Sequence, residues 1–326
     1  MFDIRRYTSG DAALWNQFVA QSKNGTFLFD RRYMDYHSDR FTDYSLMFFR
    51  KNRLYALLPA NTTGDGVLWT HQGLTYGGIL TDCRATALEV MELFLSLNTY
   101  LYSEGFRKVI YKAIPWIYHR LPAEEDLFAL LHQCRATIID RSIASVLMPH
   151  ERLRFTESRR SGLRKALREG LFVVETQDVR FLWPLLTSNL RRRYQARPVH
   201  SAEEMDMLKS RFPDQIRIYV VKNDDGQVLG GTVLYLTPKV VHTQYISASP
   251  QGKQVGAIDL LFDKLLNEVY NDDRYFDFGT SMTTEGSDIN EPLLFQKEGF
   301  GARAVCYDWY GWDVIQPDCQ ASHPSL

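Results

Sequence analysis

The order of elements, repeated once, constrains this chain more than any single motif. Residues 45–50 and 53–59 are apolar runs hinged at Lys51-Asn52, which reads as a β-hairpin. A strand candidate at 67–70 follows, then the Gly-rich Tyr76-Gly77-Gly78 and a helix over 86–103 stopped by Gly105. A strand at 109–113, a helix at 124–134 and a strand at 137–148 close the first half. The second half runs the same way. Strands at 216–222 and 228–236 flank the turn Asn223-Asp224-Asp225-Gly226. A strand at 240–247, a loop over 249–256, a helix over 257–270, a strand at 275–279, a helix at 291–298 and a strand at 303–312 complete it. Helix 86–103 is expected to bury Leu88, Met91, Leu95 and Tyr102, and helix 257–270 to bury Ile258, Leu261, Phe262, Leu265, Leu266 and Val269.

Two units of this kind fit 326 residues, about twice a typical domain. The fold class expected is α+β (mixed α/β), with two tandem domains, 1–150 and 151–326. A helical segment over 151–212 opens the second. It carries helices at 156–169 and 181–194 and a third from Ser201, where Glu204 completes a capping box. An apolar fraction of 45% and a charged fraction of 24% exclude a disordered or fibrous chain. The start, Met1-Phe2-Asp3-Ile4-Arg5-Arg6, has no signal-peptide core, and no run approaches the ~18 apolar residues of a membrane span. Cys83, Cys134, Cys306 and Cys319 are far apart, and no HExxH motif or close His pair occurs, so no metal is expected. The expected compartment is the cytoplasm.

Charge is unevenly placed. Residues 152–197 hold 12 basic and 4 acidic side chains, whereas residues 257–326 hold 4 basic and 13 acidic. Arg191, Arg192 and Arg193, followed by Tyr194, close one of the linker helices. Two readings stand: a guanidinium wall for a phosphate or carboxylate of the substrate, or cations at a helix C-terminus favoured by its dipole. The basic stretch is too short and too poor in Lys for general nucleic-acid binding, so no DNA partner is expected.

A Gly-bearing loop that feeds a long helix can cradle a pyrophosphate, because free N–H groups and the positive helix end face the anion. Residues 251–257 form such a loop. It resembles the acyl-CoA loop of the GNAT acetyltransferases, with Gln254 standing where the motif has Gly. Two GNAT-like halves joined by helices resemble the Fem-type aminoacyltransferases and the FemAB-like or CelD/BioF-like group. The segments Tyr275-Phe276-Asp277-Phe278-Gly279 and Phe295-Gln296-Lys297-Glu298-Gly299-Phe300-Gly301 carry that likeness, as does the opening 15–27.

The resemblance implies two tandem GNAT-like domains and an N-acyltransferase that moves an acyl group from acyl-CoA to an amine. That amine would sit on a small molecule or a cell-wall precursor. The alternatives are an aminoacyl-tRNA-dependent Fem-type peptidoglycan enzyme, and a non-catalytic binding protein of the same fold. The first half has no Asp-Phe-Gly segment, so it is expected to be a substrate platform and the second half the catalyst. The resemblance implies that Gln251, Gly252, Lys253, Val255, Gly256 and Ala257 hold the donor, and that Lys297 supplies a cation beside it. Asp277, at a strand end, is read as an open carboxylate that takes a proton or binds the amine. Tyr245 is a candidate proton donor to the departing thiolate. His242 is a candidate base, and Glu285 is held in reserve. The amides near Ser247 and Ala248 are candidates to polarise a carbonyl, which only a structure can place.

Overall fold

The computed structural model describes residues 2–272, 274–283 and 288–315, without the side chains at 193 and 194. Glu285 and Cys319 lie outside the described residues. The architecture is mixed α and β, in two compact units. One takes the residues up to Arg141 and those from Cys306 onward; the other is Ser142–Val305. This division differs from a single cut after residue 150. The chain changes unit inside two long strands whose ends pair with different neighbours: Val146 and Leu147 with Asp277 and Phe276, Trp309 to Asp313 with Lys112 to Lys108.

In chain order the first stretch holds β1 (Asp3–Arg6), α1 (Ala12–Gln21), α2 (Arg31–Met34), β2 (Thr42–Asp43), β3 (Leu46–Arg50), β4 (Arg53–Leu58) and β5 (Asn61–Thr62). Then come β6 (Val67–Trp69), β7 (Leu80–Thr81), α3 (Ala87–Ser103), β8 (Lys108–Lys112), α4 (Glu125–Cys134) and β9 (Thr137–Leu147). The second stretch holds α5 (Glu157–Arg168), β10 (Phe172–Thr176), α6 (Trp183–Tyr194), α7 (Ala202–Arg211), β11 (Ile216–Lys222), β12 (Val228–Leu236) and β13 (Val240–Ala248). It ends with α8 (Pro250–Gln254), α9 (Ala257–Lys264), β14 (Tyr275–Thr280), α10 (Glu291–Glu298) and β15 (Arg303–Asp313).

In the first unit β1-β3-β4-β7 form one sheet and β15-β8-β6-β5-β2 lie side by side in another. The β3–β4 hairpin turns where its sequence says it should. Lys51 and Asn52 have φ of 49° and 62°, the left-handed pair that matches strand twist. Helix α3 does not bury the expected face. Val90, Leu93, Phe94, Leu97 and Leu101 are inside, while Leu88 is 78% exposed and Leu95 and Tyr102 are exposed. Apolar residues lie on most sides of this helix, so more than one stripe satisfies the 3.6-residue period. The one chosen meets Phe48, Tyr111 and Trp312 in the core.

The second unit is a six-strand sheet, β10-β11-β12-β13-β14-β9. Helix α9 buries Ile258, Leu261 and Phe262 as expected, and Phe262 meets Phe276, Phe278 and Phe300 edge-on at 6.0, 4.9 and 5.0 Å. After Lys264 the helix widens into a π turn, Leu265–Val269, which rotates its last residue outward. Val269 is accordingly exposed, against expectation, while Leu265 and Leu266 stay inside.

All pairings of this sheet are antiparallel except β13 with β14. Those two run parallel and pair over three residues only: Val240 with Tyr275, Val241 with Phe276, His242 with Asp277. Beyond that point β13 continues to Ala248 bonded to β12, and β14 turns to β9, where Thr280 meets Ala144. The register of β12 and β13 shifts by one residue just past the parting, which leaves Gln244 as a bulge. The two strands therefore splay, and the inner edge of β13 faces a gap instead of a strand. Among the described residues no helix is long and apolar enough to cross a membrane.

Candidate active site

The gap between the splayed strands is a cavity of about 480 Å³. Ile246, Ser247 and Ala248 of β13 form one wall, Phe278 of β14 another, and Gly252, Lys253, Gly256 and Asp259 lie at the helical end. Alternate amides of a strand point to its two edges, so the edge that β14 has left offers unpaired N–H groups to whatever enters. Asn189 of α6 ties down the other side, donating to the Ser247 hydroxyl (2.7 Å) and the Ala248 carbonyl (2.8 Å).

The segment expected as an open loop is partly helical. Ser249 caps α8, and its hydroxyl accepts the Gly252 N–H at 2.9 Å. That amide is therefore engaged within the turn. Gly252 is glycine because a Cβ there would lie 2.0 Å from the Leu229 carbonyl oxygen. Gly256 has φ +77° and passes the α5 backbone so closely that a Cβ would lie 2.1 Å from the Gly162 oxygen. It also opens α9, whose first amides have no acceptor inside the helix. Of the expected donor-binding residues, Gly252, Lys253 and Gly256 line the cavity; Gln251, Val255 and Ala257 do not.

Sequence reasoning missed the ion pair at this end. Arg159 of α5 reaches Asp259 of α9 at 2.8 Å, and both line the cavity. Burial pushes the Asp259 carboxyl up to about 6 despite the guanidinium beside it. The signal was present in part, as the basic run of α5, but no spacing links residues 100 positions apart.

Lys297 and Asp277 converge. Lys297 is buried in the last turn of α10 and lines the cavity. Its Nζ donates to the carbonyls of Gly279 (2.9 Å) and Thr280 (2.7 Å). Burial lowers its pKa to about 8, and the nearby Asp277 charge opposes that shift. Asp277 is not the open carboxylate expected. It has no exposed surface, because β13, β14 and β9 pair around it. Its Oδ1 accepts the Gly279 N–H at 2.7 Å, and its Oδ2 lies 2.8 Å from His242 Nδ1, within hydrogen-bond distance. Gly279 joins the group: its φ is +71°, its amide meets Asp277, and its carbonyl meets Lys297.

Tyr245 stands apart from the cavity lining. Its hydroxyl contacts His200 Nδ1 at 2.6 Å, its ring meets Trp183 edge-on at 5.5 Å, and burial pushes its pKa up to about 12. Arg191 and Arg192 line a separate groove of about 570 Å³ with Arg180, Trp183, Thr187 and Ser188. The side chains of Arg193 and Tyr194 lie outside the described residues. Among the described residues no cluster of three or more His, Cys, Asp or Glu is placed to hold a metal ion.

Residues 154–287 match the family model of the GNAT acetyltransferase domain. No sequence among curated proteins matches the chain. Among solved structures, FemX is similar at 11% identity and a TM-score of 0.67, over 97% of this chain and 98% of that one. L-PGS from Bacillus licheniformis is similar at 13% identity and a TM-score of 0.59, over 97% and 96%. A tandem GNAT protein from the clavulanic acid biosynthesis pathway, whose structure was solved without AcCoA, is similar at 10% identity and a TM-score of 0.51, over 97% and 99%. At such identities the likeness is one of fold.

Proposed function

With residues 154–287 a GNAT acetyltransferase domain in a chain of FemAB-like fold, we propose that the second unit transfers an acyl group from acyl-CoA to an amine. The observation that carries this reading is the parting of β13 from β14 after three residue pairs, beside a buried lysine. An activated acyl group entering the gap meets the free edge of β13, whose amides can hold the carbonyl oxygen as negative charge develops there. The Lys297 cation lies at the same cavity and offsets charge on the departing sulfur. The start of α9 and Lys253 suit the anionic end of the donor.

The groove holding Arg191 and Arg192 suits a phosphate or carboxylate on the acceptor, since no ion pair to either guanidinium is found among the described residues. The acceptor class this favours is an amine that carries an anionic group. The first unit is proposed as the platform for that acceptor, and the cytoplasm as its compartment.

Calorimetry with acetyl-CoA tests the donor. Saturable binding that is weakened at least tenfold by Lys253→Ala supports the reading. No heat at millimolar acetyl-CoA contradicts it. Acyl transfer from charged tRNA in the same protein would then favour the donor class considered for Fem-type enzymes.

A further inference from the structure

Charge and shape coincide on one surface of the second unit that the acyl-transfer reading does not use. Residues 151–170 hold seven basic and three acidic side chains, in a chain whose formal net charge is −1. Helix α5 sorts them by face. Gly162 and Ala166 turn inward: a Cβ on Gly162 would overlap the Asp259 carboxylate, and Ala166 is fully buried. Arg159 goes the same way, to Asp259. Arg160, Arg164 and Arg168, spaced by four, share the outward face and are exposed. Leu163 and Leu167 form the next row, three residues on from Arg160 and Arg164, and Leu167 is 59% exposed. The loop before the helix adds Arg152, Leu153 and Arg154, with Leu153 52% exposed. Loop and helix border a hollow of about 420 Å³ whose walls include Arg152, Leu153, Arg154, Arg160, Leu163 and Asp263.

Structural duties leave much of this charge over. Glu157 pairs with Arg160 at 2.7 Å and with Arg164 at 2.5 Å, one carboxylate for two guanidiniums. The Arg152 guanidinium hydrogen-bonds only to neutral groups, the Pro149 carbonyl and the Asn267 side-chain oxygen. Among the described residues Arg154 and Arg168 have no ion pair. The helix dipole accounts for Lys165 and Arg168 in the last turn of α5, but not for the loop arginines or for the leucines beside them.

We propose that this surface docks on an anionic phospholipid bilayer, with lipid phosphates at the arginine hollow and Leu153 and Leu167 dipping among the acyl chains. Guanidinium forks match phosphate geometry, and each basic side chain near an anionic bilayer adds attraction. Aliphatic side chains next to the charge favour lipid over RNA, whose bases stack on exposed aromatic rings. The phenyl ring of the hollow, Phe155, is instead buried against Phe300. None of these surface residues lines the splayed cavity, so the inference stands apart from the acyltransferase reading.

The test uses the full chain and co-sedimentation with vesicles at about 0.1 M salt. One set of vesicles is phosphatidylcholine alone, and the other is equal parts phosphatidylglycerol and phosphatidylcholine. Saturable binding to the mixed vesicles, at least tenfold tighter than to phosphatidylcholine, is expected. Arg164→Gln with Arg168→Gln should weaken it about fivefold per charge removed, an effect that fades as salt rises. Leu153→Ser with Leu167→Ser should weaken it about tenfold at any salt. All four side chains are exposed, so the fold should survive. Equal binding to the two kinds of vesicle, no binding to either, or binding that the arginine variant leaves unchanged overturns the proposal. Retention of tRNA but not of vesicles overturns it in favour of a nucleic-acid partner. Thiol release from acetyl-CoA with a soluble amine, which needs no vesicle, reports separately on the acyltransferase reading.

Discussion

Each unit contains a parallel strand pair and a buried lysine beside it, yet the two places differ. In the first unit β6 and β8 pair over Val67 to Trp69, and Lys112 ends β8. The chain then fills the space next to that pair with its own backbone. Gly77 donates its N–H to the Lys112 carbonyl at 3.0 Å, and a Cβ on Gly77 would lie 1.6 Å from the Thr70 oxygen. The Lys112 ammonium donates to the Leu74 and His71 carbonyls and lies 5.1 Å from the Trp309 ring centre. In the second unit the strands part and no segment among the described residues fills the gap, so Lys297 borders a cavity. Both amines are lowered to about 8 by burial. A shifted lysine is therefore no mark of a site by itself. What distinguishes Lys297 is open space beside it and a His–Asp pair one glycine away.

The sharpest way to break this comparison is to exchange each ammonium for an apolar chain of similar length. Lys297→Met is expected to lower kcat by about 100-fold, the scale of losing one charge stabiliser, whereas Lys112→Met leaves kcat within twofold. Parallel thiol-release assays on the two variants decide it; equal losses would erase the distinction between the units.

The next effect is on binding and stability. Gly77→Ala and Gly256→Ala both force a Cβ onto backbone, and Gly256 also holds φ +77°. Each is expected to lower stability by about 2–4 kcal/mol in denaturant titrations. Only Gly256→Ala should also weaken acetyl-CoA binding, by roughly tenfold, because it displaces the start of α9.

The smallest effect is shared. Both lysines fall from 10.5 unfolded to about 8 folded. Between those values the unfolded chain holds the protons and the folded chain does not, so stability rises with pH there. The contribution of the neutral amines is complete above 10.5 and is lost as pH falls through about 8. Either Met variant should flatten the stability slope between pH 8 and pH 10. Measured at those two pH values, the two decrements should add, since the lysines belong to different units.

What was legible in the sequence was local. The Lys51-Asn52 and Asn223-Gly226 turns, the capping box at Ser201 and the inward residues Ile258 to Phe262 are fixed by neighbours a few positions away. The order of elements was legible for the same reason, and with it the GNAT-like fold. The buried face of α3 was not, because its apolar residues ring the helix and only the opposing sheet chooses among them. The state of Asp277 was not legible either. Its burial depends on Val146, more than 100 positions earlier, and on His242 from the neighbouring strand. The sequence named His242 and Asp277 as separate candidates, and only the structure brings them within 2.8 Å of each other. Nor does any local pattern mark where two parallel strands stop pairing.

The account is tested most directly by an experimental electron-density map of the chain crystallised with acetyl-CoA. The thioester is predicted to lie between the free edge of β13 and Phe278, with Lys297 beside the sulfur and the anionic end at the start of α9. Density for the ligand in the first unit, or a closed gap with β13 and β14 paired beyond His242, would contradict it.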